Sequence, residues 1–365
     1  MEILTHASTA TSPEERGREI GSAFGAEIRG TVRRYLDFFR SRGLADDVVH
    51  AVAQRSLAAL GDWSPGLAEE LRATALAAGV EVWQLAALNA RTEVLAIVDP
   101  DPESECSTWV FAPPPPARPE TIQTWDWHDA LCPAGLMLAY VPDAPVSGRR
   151  AVHRVRLFTE LGVLGKIGVN DAGIGVHFNI LHHASDHADG GVPVHAIARR
   201  ILDEADSVEA AVEIARSARV SASTVVTVVS ASEGSPRAAC LEISPERVAV
   251  VLPDADHLLL HTNHFLDPVQ TEGEATRDAG TTYERLAHVT ARAAAMTGLG
   301  VRERAAEMCG PSGGSAPVCF TPDLSKPPHE QWTTLLTVSL DLVGIGLDYY
   351  PGSPDLLAEH GPRRF

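Results

Sequence analysis

The sequence offers little to a polyanion, a membrane or a structural metal. Its 30 Lys and Arg are outnumbered by 48 Asp and Glu, a formal charge of −18, whereas binding to nucleic acid or an anionic membrane rests on clustered cations that release counterions. No uninterrupted apolar run approaches the roughly 20 residues that a membrane span needs. Residues 1–21 hold no basic segment followed by an apolar core, so no signal peptide is expected. The five cysteines, at 106, 132, 240, 309 and 319, form no C-x-x-C pair and no zinc-type spacing, which disfavours a disulfide framework and a structural metal. No internal repeat or long linker is visible. These absences point to a soluble, unexported protein with free thiols in a reducing cytoplasm.

What is present is ordinary globular material. The chain has 365 residues, 45% of them hydrophobic and 21% charged, enough to bury about 75% of its unfolded surface. The first hundred residues read as helices. Ser12-Pro13-Glu14-Glu15 supplies an N-cap, a first-turn proline and a capping-box acid, opening an amphipathic run to Phe39. Ser64-Pro65 repeats the signal, and helical spacing over 46–60 and 67–78 stops at Gly61 and Gly79. After residue 105 the texture changes to short β-rich runs. Two strands flank Pro113-Pro114-Pro115-Pro116, and 168–176 reads as strand, turn and strand. Helices are expected at 194–203, 208–218, 282–295 and 302–308, with strands at 225–229, 238–243, 248–252, 258–262, 334–340 and 345–349. Strand clusters between helix pairs, without a βαβ rhythm, predict a layered α+β fold.

Cys106, in Glu105-Cys106-Ser107-Thr108-Trp109, is the residue most suggestive of chemistry. A hydroxyl pair follows it, then the apolar run Trp109-Val110-Phe111-Ala112. A second strand carries Asp126 between Trp125 and Trp127. A lone cysteine is normally a small buried hydrophobe, the reading kept for the other four. Asn263 ends the strand at 258–262, a position where Asn also serves as a turn residue, and is the candidate donor to an oxyanion. Asp126 has the simpler alternative of capping a turn or pairing with His128, and Arg285 that of an ion-paired helix residue, with Arg277 close by.

Asn89-Ala90-Arg91-Thr92-Glu93, Glu105-Cys106-Ser107-Thr108, Gln123-Thr124-Trp125-Asp126-Trp127, Gly168-x-Asn170-x-x-Gly173 and Thr262-Asn263-His264-Phe265 occur in that order. This set resembles the acyl-coenzyme A:6-aminopenicillanic acid acyltransferase (isopenicillin N acyltransferase) family of self-processing acyltransferases and hydrolases. The resemblance implies the four-layer αββα sandwich of N-terminal nucleophile hydrolases. It also implies a single domain, 1–365, cut between Glu105 and Cys106 into a helical piece, 1–105, and a nucleophile-bearing piece, 106–365, that stay associated. Many relatives have Gly where this chain has Glu105. Within that resemblance Cys106, Asp126, Asn263 and Arg285 form the catalytic set, and Glu105, Cys106 and Thr108 serve processing. Trp125, Trp127, Ser230 and His264 are candidates for substrate contact.

The physical chemistry of a liberated N-terminal cysteine agrees. An α-amine has a pKa near 7.7–8.0 and accepts a proton at neutral pH, so nucleophile and base share one residue. The expected enzyme needs no cofactor and cleaves or transfers the acyl group of a small N-acyl compound or acyl thioester; a homo-oligomer is left open. Two other readings exist. His177, His182, His183, His187 and His195 crowd one region with Asp186 and Asp189, as a metal-dependent hydrolase would require, and His183 and His187 have the i, i+4 spacing of one helix face. Yet Gly190-Gly191 and Pro193 argue for a loop, and H-E-x-x-H is absent. The third reading is an uncleaved, non-catalytic relative that binds small acyl compounds or a protein partner.

Overall fold

The helix signals of the first hundred residues act largely as read. In the computed structural model, which describes residues 1–365 apart from 97, 99–105, 143–152, 233, 235, 276–280 and 328–330, Ser12 Oγ accepts from the Glu15 N–H and caps α1 (Pro13–Ala23). Then follow α2 (Gly25–Ser41), α3 (Asp46–Trp63), α4 (Pro65–Ala78), α5 (Val82–Asn89) and α6 (Arg91–Leu95). Gly79, at φ 72°, closes α4 in the left-handed region that glycine occupies without cost.

Three expectations are corrected. The run from Ser12 to Phe39 is two helices, broken at Phe24, whose φ of −124° leaves the helical well. Gly61 does not stop α3. A glycine inside a helix costs only about 1 kcal/mol against alanine, and buried Leu60 together with the Trp63 indole, which donates to Ser217 Oγ at 2.8 Å, carries the helix two residues further. The opening residues form a strand, β1 (Glu2–Ala7), parallel to β4 (Ala134–Tyr140). Its partner lies some 130 residues away, so nothing local announces it.

The other strands are β2 (Cys106–Phe111), β3 (Glu120–His128), β5 (Val155–Glu160), β6 (Ile167–Asn170), β7 (Ile174–Ile180), β8 (Thr224–Ser230), β9 (Ala238–Ile243), β10 (Val248–Val251), β11 (Leu258–His261), β12 (Trp332–Asp341), β13 (Gly346–Tyr350) and β14 (Arg363–Arg364). One sheet has the order β1-β4-β5-β6-β7-β8-β9-β10 and the other β11-β2-β3-β12-β13-β14. Among the described pairs only β1 with β4 is parallel. Asn170 Oδ1 accepts from the Ala172 and Ile174 N–H groups, and Gly173 takes φ 80°, which makes the β6–β7 reversal. Strands β4 and β5 were not foreseen.

The sheets pack face to face, β2 against β7 and β12 and β13 against β6. α7 (Val194–Glu204) and α8 (Val208–Ser217) cover the larger sheet; α9 (Thr282–Arg292), α10 (Val301–Cys309) and α11 (Pro354–His360) cover the smaller. This is the four-layer αββα arrangement. The helices before residue 96 join the larger sheet's outer layer through buried polar bonds. Asn89 donates to Gly162 O at 2.8 Å and accepts from Leu164 N at 2.9 Å, while Glu93 Oε1 accepts from Val194 N at 2.8 Å.

The same layer holds an ionic knot. Glu70 receives Arg16 Nε at 2.8 Å and Arg199 Nη2 at 2.8 Å, and Arg199 Nε reaches Asp203 at 3.0 Å, all buried. Removing one partner strands the others' charges, at a cost of about 3–5 kcal/mol. Glu70→Ala should therefore lower the unfolding free energy from urea titration by an amount in that range, whereas an exposed control such as Glu14→Ala, paired with Arg18, should change it by under about 1 kcal/mol.

Candidate active site

Strand alternation decides what Cys106 meets. Cys106 pairs with Trp125 and Ser107 with Thr124 across β2 and β3, so Cys106, Thr108, Gln123, Trp125 and Trp127 share the face turned to the larger sheet. That assignment is borne out by their contacts. Thr108 Oγ1 donates to Asn179 Oδ1 at 2.8 Å, Gln123 Nε2 donates to Phe178 O at 2.8 Å, and Trp125 packs on Phe158. Ser107, Thr124 and Asp126 share the opposite face, toward α9.

Three side chains grip the Cys106 backbone. Its N–H donates to Asn263 Oδ1 at 2.7 Å. Its carbonyl accepts from Arg285 Nη1 at 2.6 Å and from Asn179 Nδ2 at 3.2 Å. Arg285 also donates to Ser107 Oγ at 2.9 Å, to Asn263 Oδ1 at 3.0 Å and, through Nε, to Thr281 Oγ1 at 2.9 Å. Asn263 Nδ2 donates to Ile180 O at 2.9 Å. With two donors on one amide atom and a carbonyl on the other, the Asn263 amide has only one consistent orientation. The turn after β11 that carries it is pinned by Thr282, whose hydroxyl accepts from Asn263 N at 2.9 Å.

The Cys106 thiol is buried, and this burial, helped by the Asp126 charge, pushes its pKa up to about 12; the Asp126 backbone N–H and the Lys166 and Arg285 charges act the other way. A thiol in that state is a poor nucleophile until something takes its proton. Asp126 Oδ2 accepts from Thr124 Oγ1 at 3.2 Å. The two flanking tryptophans do not wall in this carboxylate, because alternation sends them to the other face. Trp127 donates to Tyr35 Oη at 2.8 Å and meets Trp332 edge-on.

Of the remaining candidates, His264 lies beside the cluster, with Nδ1 2.8 Å from Thr282 Oγ1 and its ring over Tyr283; burial lowers its pKa to about 4. Ser230 is not brought in. It pairs with Ile174, five residues along β8 from the Asn179–Val225 pair, about 17 Å at the usual strand rise, and bonds Ser232 Oγ at 2.7 Å. Glu105 and Arg277 lie outside the described residues. His183 and His187 sit in a loop and not on a helix face. His183 bonds Ser185 Oγ at 2.7 Å, and among the described residues no three His, Cys, Asp or Glu side chains are grouped to hold a metal. No described helix is long and apolar enough to cross a membrane.

Sequence reasoning missed several members. Asn179 ties Cys106 O, Thr108 and Thr262 O together at 3.2, 2.8 and 3.1 Å. Its only signal was a polar residue in a strand buried on both faces. Across the thiol's face lies a second cluster. Lys166 Nζ is 3.7 Å from the Trp125 ring centroid and 2.7 Å from Glu160 Oε1, which also meets Arg91 at 2.6 Å, while Glu160 Oε2 accepts from Tyr35 at 2.6 Å.

Two comparisons bear on this geometry. The family model for acyl-coenzyme A:6-aminopenicillanic acid acyl-transferase matches residues 123–355, a span that holds Asp126, Asn263 and Arg285 and begins after Cys106. The chain belongs to this family. It is 27% identical over 302 residues to the acyl-coenzyme A:6-aminopenicillanic-acid-acyltransferase 40 kDa form of Emericella nidulans, covering 78% of this chain and 77% of that protein. Solved structures align more loosely. Penicillin V acylase from Agrobacterium tumefaciens is 14% identical, with a TM-score of 0.40 over 67% of this chain and 83% of that one. An N-acylethanolamine-hydrolyzing acid amidase ortholog from Caenorhabditis elegans is 11% identical, with a TM-score of 0.42 over 70% and 97%. Membership makes the chain an enzyme of acyl transfer or amide hydrolysis.

The Glu160 cluster has a pH consequence. Burial opposes the carboxylate, but the Arg91 and Lys166 charges outweigh it and hold its pKa at about 2. A carboxyl depressed in the folded state adds stability above its unfolded pKa near 4.3, and that stability is lost as pH falls toward 2. Glu160→Gln should therefore be less stable at pH 7, and its stability should fall less steeply than that of the wild type between pH 5 and 2; equal slopes in acid urea titrations would contradict this.

Proposed function

We propose that this protein is a self-processing cysteine amidohydrolase or acyltransferase that works on small N-acyl compounds or acyl thioesters through a Cys106 thioester. One observation carries the reading: the Cys106 nitrogen, which cleavage would turn into a free amine, already sits 2.7 Å from Asn263 Oδ1, beside an arginine that holds the Cys106 carbonyl.

In processing, Cys106 Sγ attacks the Glu105 carbonyl, the carbon–nitrogen bond opens, and water hydrolyses the thioester. In turnover, the new α-amine takes the thiol proton and Sγ attacks the acyl carbonyl. Asn263 donates to the oxyanion. Its orientation, with Nδ2 donating to Ile180 O, is fixed by the bonds on both ends of the amide. Arg285 fixes Asn263 and the start of β2, and Asp126 offers a negative charge to the nascent ammonium. Thr108, tied to Asn179, keeps the strand in register for cleavage. Trp125 and His264 remain the candidates for substrate contact. Water as acceptor gives hydrolysis and an amine gives transfer.

Association of residues 1–105 with 106–365 is supported by the buried bonds of Arg91 to Glu160 and Glu70 to Arg199. The described cysteines are all unpaired, which suits a cytoplasmic enzyme.

Intact mass of the denatured protein should give pieces of 105 and 260 residues (365 − 105 = 260). Cys106→Ala should give one 365-residue chain; a Cys106→Ala protein that is still cut at that position defeats the reading. Asn263→Ala should lose about 10²–10³-fold in kcat against a panel of N-acyl amines and acyl thioesters followed for both hydrolysis and transfer.

A further inference from the structure

In the uncleaved chain the base of the mature enzyme does not exist, because the Cys106 nitrogen is an amide that donates to Asn263. A buried thiol nonetheless has to lose its proton to attack. Arg285 and Arg91 cannot accept it, since guanidinium stays protonated in proteins. Asp126 lies on the other face of the sheet and its charge opposes thiolate formation.

Lys166 is differently placed. It projects from the turn between β5 and β6, in the sheet that faces Cys106, and its ammonium rests 3.7 Å from the centroid of Trp125, the cross-strand partner of Cys106. Paired side chains in neighbouring strands have Cβ atoms about 4.5–5.5 Å apart, so Lys166 and the thiol cover adjacent parts of one face. Each influences the other's ionisation: the Lys166 charge favours the thiolate, and the thiolate favours the ammonium.

The charges around Lys166 are unbalanced. Glu160 from β5 faces it directly, Arg91 from α6 shares that carboxylate, and Tyr35 from α2 donates to its other oxygen. His195 of α7 bonds Arg91 at 3.0 Å, and Cys132 lies after β3. Two cations thus share one carboxylate in a buried space, and a lysine there gives up its proton readily.

We propose that Lys166 accepts the Cys106 thiol proton during self-cleavage and remains beside the sulfur as its counter-ion. The inference rests on the self-processing reading above. The proton moves from Sγ to Nζ, Sγ bonds the Glu105 carbonyl carbon, the bond from that carbon to Cys106 N breaks, and Nζ returns the proton to the nitrogen. The step consumes nothing, and the new α-amine then takes over as base.

Burial, opposed by Glu160 and aided by Arg91, brings the Lys166 pKa down to about 8. The reactive form, thiolate beside ammonium, carries one proton fewer than the resting form, thiol beside ammonium. The cleavage rate should therefore rise with pH and level off near 8, well before the thiol itself titrates.

The test is the cleavage rate of freshly translated chain chased at pH 6 to 10, for wild type, Lys166→Arg and Lys166→Met. Lys166→Arg keeps the charge and the contact with Trp125 but has no neutral form. It should cleave at least about 10²-fold more slowly at pH 7, with a rate still climbing at pH 9.5, and Lys166→Met should be slower again. Wild-type-like rates and profiles in both variants overturn the assignment while leaving self-cleavage intact. A wild-type chain that stays whole at every pH overturns self-cleavage itself, and Lys166 with it. If neither variant folds, as circular dichroism would reveal, the wild-type profile decides: levelling near pH 8 supports Lys166 and a continued rise to pH 10 refutes it.

Discussion

A guanidinium taken completely out of water must be met by acceptors, since stranding a charge in the interior costs more than a single domain's stability allows. Arg285 meets this demand with Cys106 O, Ser107 Oγ, Thr281 Oγ1 and Asn263 Oδ1. Those four atoms come from the start of β2, the N-terminus of α9 and the turn after β11. Satisfying one side chain therefore fixes three elements against each other, and the first residue of β2 is the point where they meet. Packing alone would tolerate small slips among these elements; a fork of directed hydrogen bonds does not.

The central strands β2 and β3 then act as a two-sided partition. Toward α9 they present Ser107, Thr124 and Asp126, whose bonds hold backbone positions. Toward the larger sheet they present the thiol, Trp125 and Trp127, and the polar ties of Thr108 and Gln123 to β7. A shift of one residue in their pairing would exchange these sets. Register is guarded by the hydroxyl and amide bonds that cross between sheets, which an all-apolar interface could not supply.

Much of this was legible in the sequence, and what was not shares a cause. Strands β8 and β9 and the turn at Gly173 are local: alternating or continuous apolar runs, and residues that reach unusual backbone angles. The family resemblance grouped Asn263 and Arg285 with Cys106 before any geometry was known. By contrast β1 and β4 are made strands by one another across about 130 residues, and no window of either reveals it. Ser230 is a polar residue at a strand end like many others, and its position along β8 follows only from the pairing with β7. Asn179 and Lys166 acquire meaning from what faces them across the inter-sheet space, a relation written in tertiary structure and in no spacing. Trp125 and Trp127 flank Asp126 in sequence yet face away from it, because neighbours along a strand lie on opposite faces.

The helical layer before Cys106 also enters the electrostatics of the site. Arg91 and Tyr35 come from that layer, and both close on Glu160, the carboxylate that faces Lys166. Were those residues to leave, Glu160 would pair with Lys166 alone, the lysine would hold its proton more firmly, and the field it exerts on the sulfur would no longer change with pH near neutrality. The same contacts that bury the layer's polar groups thus set the ionisation of groups beside the thiol. On the self-processing reading, residues before Cys106 would have to stay docked after the cut, because the second cation of the cluster, Arg91, is supplied from there.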